Sequence, residues 1–213
     1  EVVWIESSDY INNPVFQNSK EKIIAIAPEI ISWKLSNEFI DKVTNLKAIC
    51  PTTSSFSWLD GKFLRSKGIN LINNPHTTTE AVAEYAISLM LNVAKKLPLI
   101  VKNNWELDYD QHQGCEIKGK TMGIIGLGFI GSRIAELGKQ MGMNVIYWSK
   151  NSRNENYEYQ ELDSLLKNSD FIFPALARNE ETKSILSNNK LDLISQNSFI
   201  ISIADENLFD FEY

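Results

Sequence analysis

The chain has 213 residues, 43% hydrophobic and 23% charged, which is ordinary globular usage and excludes the disordered and collagen-like classes. Lys and Arg total 21 against 27 Asp and Glu, and the basic residues are scattered, so this chain of net charge −6 is not expected to bind nucleic acid. Cys50 and Cys115 lie in no metal or redox spacing, no apolar run reaches bilayer length, and Glu1–Glu6 is too short and acidic for a signal peptide. A cytoplasmic protein with no membrane partner and no metal is the expectation.

From residue 23 onward, short apolar runs alternate with helical patterns, as in α/β proteins with a largely parallel sheet. Ile23–Ala27 and Leu46–Cys50 read as buried strands with a helix over Ser36–Val43 between them. Ile69–Ile72 reads as a third strand, closed by Asn73-Asn74-Pro75. Thr77 and Glu80 stand in the Thr-x-x-Glu spacing of a capping box, which predicts a helix over Thr78–Leu97 ended by Lys95, Lys96 and Pro98. That helix is apolar on nearly every face, with Val82, Tyr85, Leu89 and Val93 on one side and Ala86, Ile87, Met90, Leu91 and Ala94 on the others. It is therefore buried on more than one side. An element between domains or at a homodimer interface, and a plain core helix, both remain open.

Lys102 to Lys120 is polar and reads as a linker. Met122–Ile125 is a buried strand that runs straight into Gly126-Leu127-Gly128-Phe129-Ile130-Gly131. Ile130, Ile134, Leu137 and Met141 then recur at helical spacing, and Asn144–Trp148 supplies the next strand. Later elements are a helix near Tyr159–Lys167, a strand at Phe171–Phe173, a short helix around Asn189–Ile194 and a strand at Phe199–Ile203. Only the first mononucleotide-binding half of a doubly wound fold, plus one further strand, is visible.

A Gly-x-Gly-x-x-Gly triplet is weak evidence alone, but here it joins a strand to a helix inside a complete strand, turn, helix, strand unit. Gly126 permits the tight turn, Gly128 lets the backbone approach a pyrophosphate, and Gly131 lets helix and strand pack closely. The amides of Phe129 and Ile130, at the positive end of the helix, point toward the phosphates. About 20 positions on, where an NAD site keeps an acidic residue for the ribose, the chain has Ser149, followed by Lys150 and Arg153. Loss of the carboxylate with gain of two cations points to NADP in preference to NAD. Solvated loop charges remain the other reading of those cations.

The stretch from Leu46 to Ile203 resembles the D-isomer-specific 2-hydroxyacid dehydrogenases, the family of glyoxylate, hydroxypyruvate and phosphoglycerate dehydrogenases. The resemblance is carried by Asn74-Pro75 through Thr79-Glu80-Ala81-Val82-Ala83-Glu84, by Gly119 through Gly131, and by Ser169-Asp170. It implies a flavodoxin-like substrate domain over 1–97, a linker over 98–117 and a C-terminally incomplete Rossmann domain over 118–213. It implies an NAD(P)-dependent oxidoreductase moving hydride between nicotinamide and a small 2-hydroxy or 2-keto acid.

The same resemblance gives Thr53, Ser54 and Ser55 as the loop whose amides receive the substrate carboxylate, although the family has glycine where Ser55 stands. It extends the cofactor contacts to Ala177, Thr182, Ile203, Ala204 and Asp205. The family's catalytic arginine follows the strand ending at Ile203 in an Ala-Arg-Gly sequence. This chain reads Ala204-Asp205-Glu206, which removes the donor and reverses the local charge. The family's glutamate and histidine fall beyond residue 213, and His76 and His112, the only two histidines, match neither position. No catalytic residue is therefore assigned. A fragment of a longer enzyme and a degenerate dinucleotide-binding or regulatory homologue are both expected alternatives.

Overall fold

A computed structural model describes residues 2, 12–28, 35–52, 56, 58–177, 179 and 181–210. The chain divides into two compact units, Glu1–Thr78 and Thr79–Tyr213. The division thus falls ahead of the long helix and not behind it at residue 97. Ala83, Ala86, Met90 and Ala94 on that helix are buried in the core of the second unit.

In the first unit, α1 (Pro14–Ser19), β1 (Ala25–Ile26), α2 (Asn37–Asp41), β2 (Ala48–Ile49), α3 (Gly61–Ser66) and β3 (Asn70–Leu71) alternate. The strands are parallel and adjacent in chain order, β1-β2-β3. A sequential run of this kind lies on one side of the switch point in the flavodoxin-like order 2-1-3-4-5. Each helix starts at a side-chain cap: Asn13 accepts from the Val15 amide at 2.9 Å, Ser36 from Phe39 at 3.2 Å and Asp60 from Phe63 at 3.0 Å. The core gathers Phe16 and Phe39, stacked with centroids 5.0 Å apart, with Ile40, Val43, Leu46, Ile49 and Leu64.

In the second unit, five parallel strands take the order β6-β5-β4-β7-β8. They are β4 (Thr121–Ile125), β5 (Asn144–Trp148), β6 (Glu158–Tyr159), β7 (Phe171–Pro174) and β8 (Phe199–Ile200). Counted within the unit, this is 3-2-1-4-5, the arrangement of a dinucleotide-binding sheet up to its fifth strand. Central β4 is buried almost throughout, and Met122, Ile124 and Ile125 are fully buried. Strand β6 is a departure from expectation, since the helix placed near Tyr159 begins later as α8 (Leu162–Asn168). The Ser169-Asp170 pair ties α8 to the sheet. Ser169 Oγ donates to the Leu165 carbonyl at 2.6 Å, while Asp170 accepts from the Thr121 amide at 2.8 Å and from Lys120 at 3.1 Å.

The long helix, α4 (Thr79–Ala94), packs against α7 (Phe129–Gln140). Its capping box does not form. Thr77 Oγ1 faces the Asn74 carbonyl at 3.5 Å, and Glu80 accepts from Arg133 Nε at 2.9 Å. After α4 the chain turns at Lys96, whose φ of 52° is left-handed, and α5 (Leu97–Lys102) follows. Pro98 thus opens a helix in its first turn, where its missing N–H costs nothing, and does not simply end the previous one. The expected linker over 98–117 also holds α6 (Tyr109–His112), and it docks back on α4 where the Cys115 amide donates to the Ala94 carbonyl at 2.8 Å. Between β7 and β8 lies α9 (Asn188–Leu191). No helix among the described residues is long and apolar enough to cross a membrane.

Candidate functional site: the turn between β4 and α7

At the end of β4, Gly126 takes φ +100°, a backbone state L side chains rarely adopt, and its amide donates to the Trp148 carbonyl at 2.8 Å. A Cβ there would stand 2.7 Å from Leu176 and 2.9 Å from the Ala175 carbonyl oxygen. Gly131, in the first turn of α7, lies so close to the strand that a Cβ would fall 2.0 Å from the Gly126 carbonyl oxygen. Gly128 is different, because nothing lies within 4 Å of the Cβ it lacks. It is the extended N-cap residue of α7 and offers no side-chain hydrogen bond to the first turn. The three glycines therefore divide their work: two bring helix and strand together, and the third leaves an open approach to a helix terminus whose N-cap residue has no side chain. Leu127 is buried and Ile130 packs on the core, whereas Phe129 is 57% exposed.

This cradle fits the diphosphate of a dinucleotide. Backbone amides and the positive end of α7 are suited to an anion, and the absent Cβ at Gly128 keeps its path clear.

Ser149 follows β5 and is nearly buried, with its Oγ accepting from the Ser152 amide at 3.2 Å. Lys150 Nζ pairs with Glu181 Oε2 at 2.8 Å. Arg153 folds back so that Nη1 donates to the Ser149 carbonyl at 2.7 Å and the Ser152 carbonyl at 2.9 Å, with its guanidinium 4.1 Å from the Tyr159 ring centroid. Burial first, and then the Glu161 carboxylate, hold the Tyr159 hydroxyl above its ordinary pKa. Ser149, Lys150 and Arg153 thus come together beyond β5, with both cations engaged by protein groups.

On the other side of β4, Ala177 and Thr182 belong to one closed turn, in which Thr182 Oγ1 donates to the Ala177 carbonyl at 2.8 Å. Ile203 packs on the main core, and Ala204 is half-buried. Asp205 caps a short 3-10 turn over Glu206–Leu208, accepting from the Asn207 amide at 2.9 Å and also from the Asn207 side chain. The turn seats Leu208 in the interior and aligns Phe209 with Leu186. Thr53, Ser54 and Ser55 lie outside the described residues. His112 Nδ1 accepts from the Asp108 amide at 3.0 Å, a bond local to α6. Glu181 and Tyr159 escaped the sequence reading because their roles depend on contacts across loops with no local pattern.

The sequence profile of the NAD binding domain of D-isomer specific 2-hydroxyacid dehydrogenases matches residues 86–212. The chain belongs to this family. A glyoxylate reductase of Aeropyrum pernix is 28% identical over 190 residues, 81% of this chain and 56% of that protein. A D-lactate dehydrogenase of Aquifex aeolicus, solved with NAD and lactic acid, superposes with a TM-score of 0.80 at 28% identity, covering 94% of this chain and 61% of the other. An acyclic imino acid reductase solved with NADPH and D-Arg superposes at 0.81 with 28% identity, covering 91% of this chain and 64% of the other. The chain spans less than two thirds of the length of each of these three relatives.

Proposed function

We propose that this chain holds a nicotinamide dinucleotide over the Gly126–Gly131 turn, as the cofactor-binding part of an oxidoreductase acting on small 2-hydroxy or 2-keto acids. The observation that carries the reading is the open face of Gly128 at the start of α7, between two glycines that tolerate no side chain. When bound, the nicotinamide would supply or accept the hydride. The protein's own groups would bind and orient the cofactor: the α7 amides at the diphosphate, and the loops after β5 and β7 at the adenosine end and beyond.

The preferred cofactor in this reading is NADPH. Ser149 stands where a carboxylate would repel a 2′-phosphate, and Lys150 and Arg153 are at hand to attract one. A single charge-assisted hydrogen bond contributes about 1.5 to 3 kcal/mol, enough for roughly tenfold preference. Fluorescence titration with NADPH and NADH at two salt concentrations tests this, with tighter NADPH binding that weakens as salt rises as the expected result. Equal affinity for both, or no saturable binding, contradicts it.

Asp205 favours a second reading, in which the chain binds dinucleotide without turnover, because a carboxylate stands where the resemblance calls for arginine. We also infer a homodimer through α4. Leu91 is half-buried against its own core, so exposed Tyr85 is the better probe. Tyr85→Glu should convert dimers to monomers in light scattering, and a monomeric parent chain would contradict the inference.

A further inference from the structure

The Lys150–Glu181 ion pair joins the loops on the two sides of β4. Lys150 follows β5 and Glu181 follows β7, and these strands flank β4 on opposite sides. The pair therefore spans the crevice outside the carboxyl ends of the strands, where sheets of this topology receive their ligands. The loop that carries Glu181 is braced. Asn179 Oδ1 accepts from the amides of Glu181 at 2.9 Å and Thr182 at 3.1 Å, while the Thr182 hydroxyl bonds the Ala177 carbonyl. Both members of the pair are well exposed, with side chains at 59% and 68%, so water screens their attraction and a stronger anion can displace the carboxylate.

We infer that Glu181 is a specificity-determining residue, whose carboxylate holds Lys150 across the crevice and so opposes capture of a 2′-phosphate. This rests on the reading that Lys150 meets that phosphate. A phosphate dianion must take Lys150 from Glu181 and then lie near a carboxylate of like sign, whereas the 2′-hydroxyl of NADH meets no such repulsion. Glu181 thus limits, without reversing, the preference for NADPH that Ser149, Lys150 and Arg153 give.

The test is titration of the parent chain, Glu181→Gln, Lys150→Ala and the double variant with NADPH, NADH and 2′,5′-ADP, with melting curves as folding controls. Glu181→Gln should tighten NADPH and 2′,5′-ADP by roughly threefold, the scale of an exposed ion pair, and leave NADH nearly unchanged. The gain should vanish in the double variant. If Lys150→Ala weakens NADPH alone while Glu181→Gln leaves the NADPH to NADH ratio unchanged, the role of Glu181 is overturned and the Lys150 reading stands. If Glu181→Gln tightens both dinucleotides equally, its carboxylate acts as general charge and the specificity role is overturned. If Lys150→Ala affects both dinucleotides equally or neither, the phosphate reading falls and the inference falls with it.

Discussion

Gly131→Val is expected to destabilise the second unit by about 3 kcal/mol or more and to abolish dinucleotide binding. A Cβ at this position would lie 2.0 Å from the Gly126 carbonyl oxygen, and neither backbone segment can move without disturbing the sheet or α7. Overpacking a tight core commonly costs about 1 to 3 kcal/mol, and a clash with backbone lies at the upper end. Gly128→Ala is the matched control. Nothing lies within 4 Å of its new methyl group and its φ of −81° suits any residue, so the melting temperature should hold while NADPH binding weakens. Thermal melts followed by circular dichroism, paired with NADPH titrations, separate the two effects. A Gly131→Val chain with parental melting and affinity would refute the close-packing role of that glycine.

The second large effect is on turnover. Glyoxylate, hydroxypyruvate and pyruvate should all fail as substrates with NADPH, because Asp205 would meet the substrate carboxylate with like charge where the resemblance calls for arginine. Losing a preorganised donor of this kind costs about 10²- to 10³-fold in rate, and the reversed charge adds to that loss. Asp205→Arg should not by itself restore activity, since neither His76 nor His112 matches the family's catalytic acid, and it also removes the cap of the Glu206–Leu208 turn. Spectrophotometric turnover of any of these acids at an ordinary enzymatic rate would overturn the reading of Asp205.

The β4, glycine turn, α7 and β5 unit was legible in the sequence because its cues are local. A run of buried residues ends at Gly126, and the apolar positions that follow keep helical spacing. Strand β6 was not legible, because Glu158 and Tyr159 form a two-residue edge strand with no hydrophobic alternation. Proline suits a first helical turn as well as a helix end, so Pro98 alone does not announce α5, and nothing in the polar stretch after it marks α6. The capping box does not form because α4 begins at Thr79, which puts Ala81 and not Glu80 at its third position, and Glu80 pairs with Arg133 on α7 instead. Ser149, Lys150 and Arg153 could be located by counting from the glycines. Their present partners could not, since Glu181 and Tyr159 reach them through folding.

The central claim, that the Gly126–Gly131 turn receives the dinucleotide, is tested most directly by backbone amide NMR during NADPH titration. Saturable shifts are expected to be largest at residues 126–131, with a second group at Ser149 and Lys150, all reduced in Gly128→Ala. Saturable binding that leaves the amides of 126–131 unmoved, or no binding at all, would contradict it.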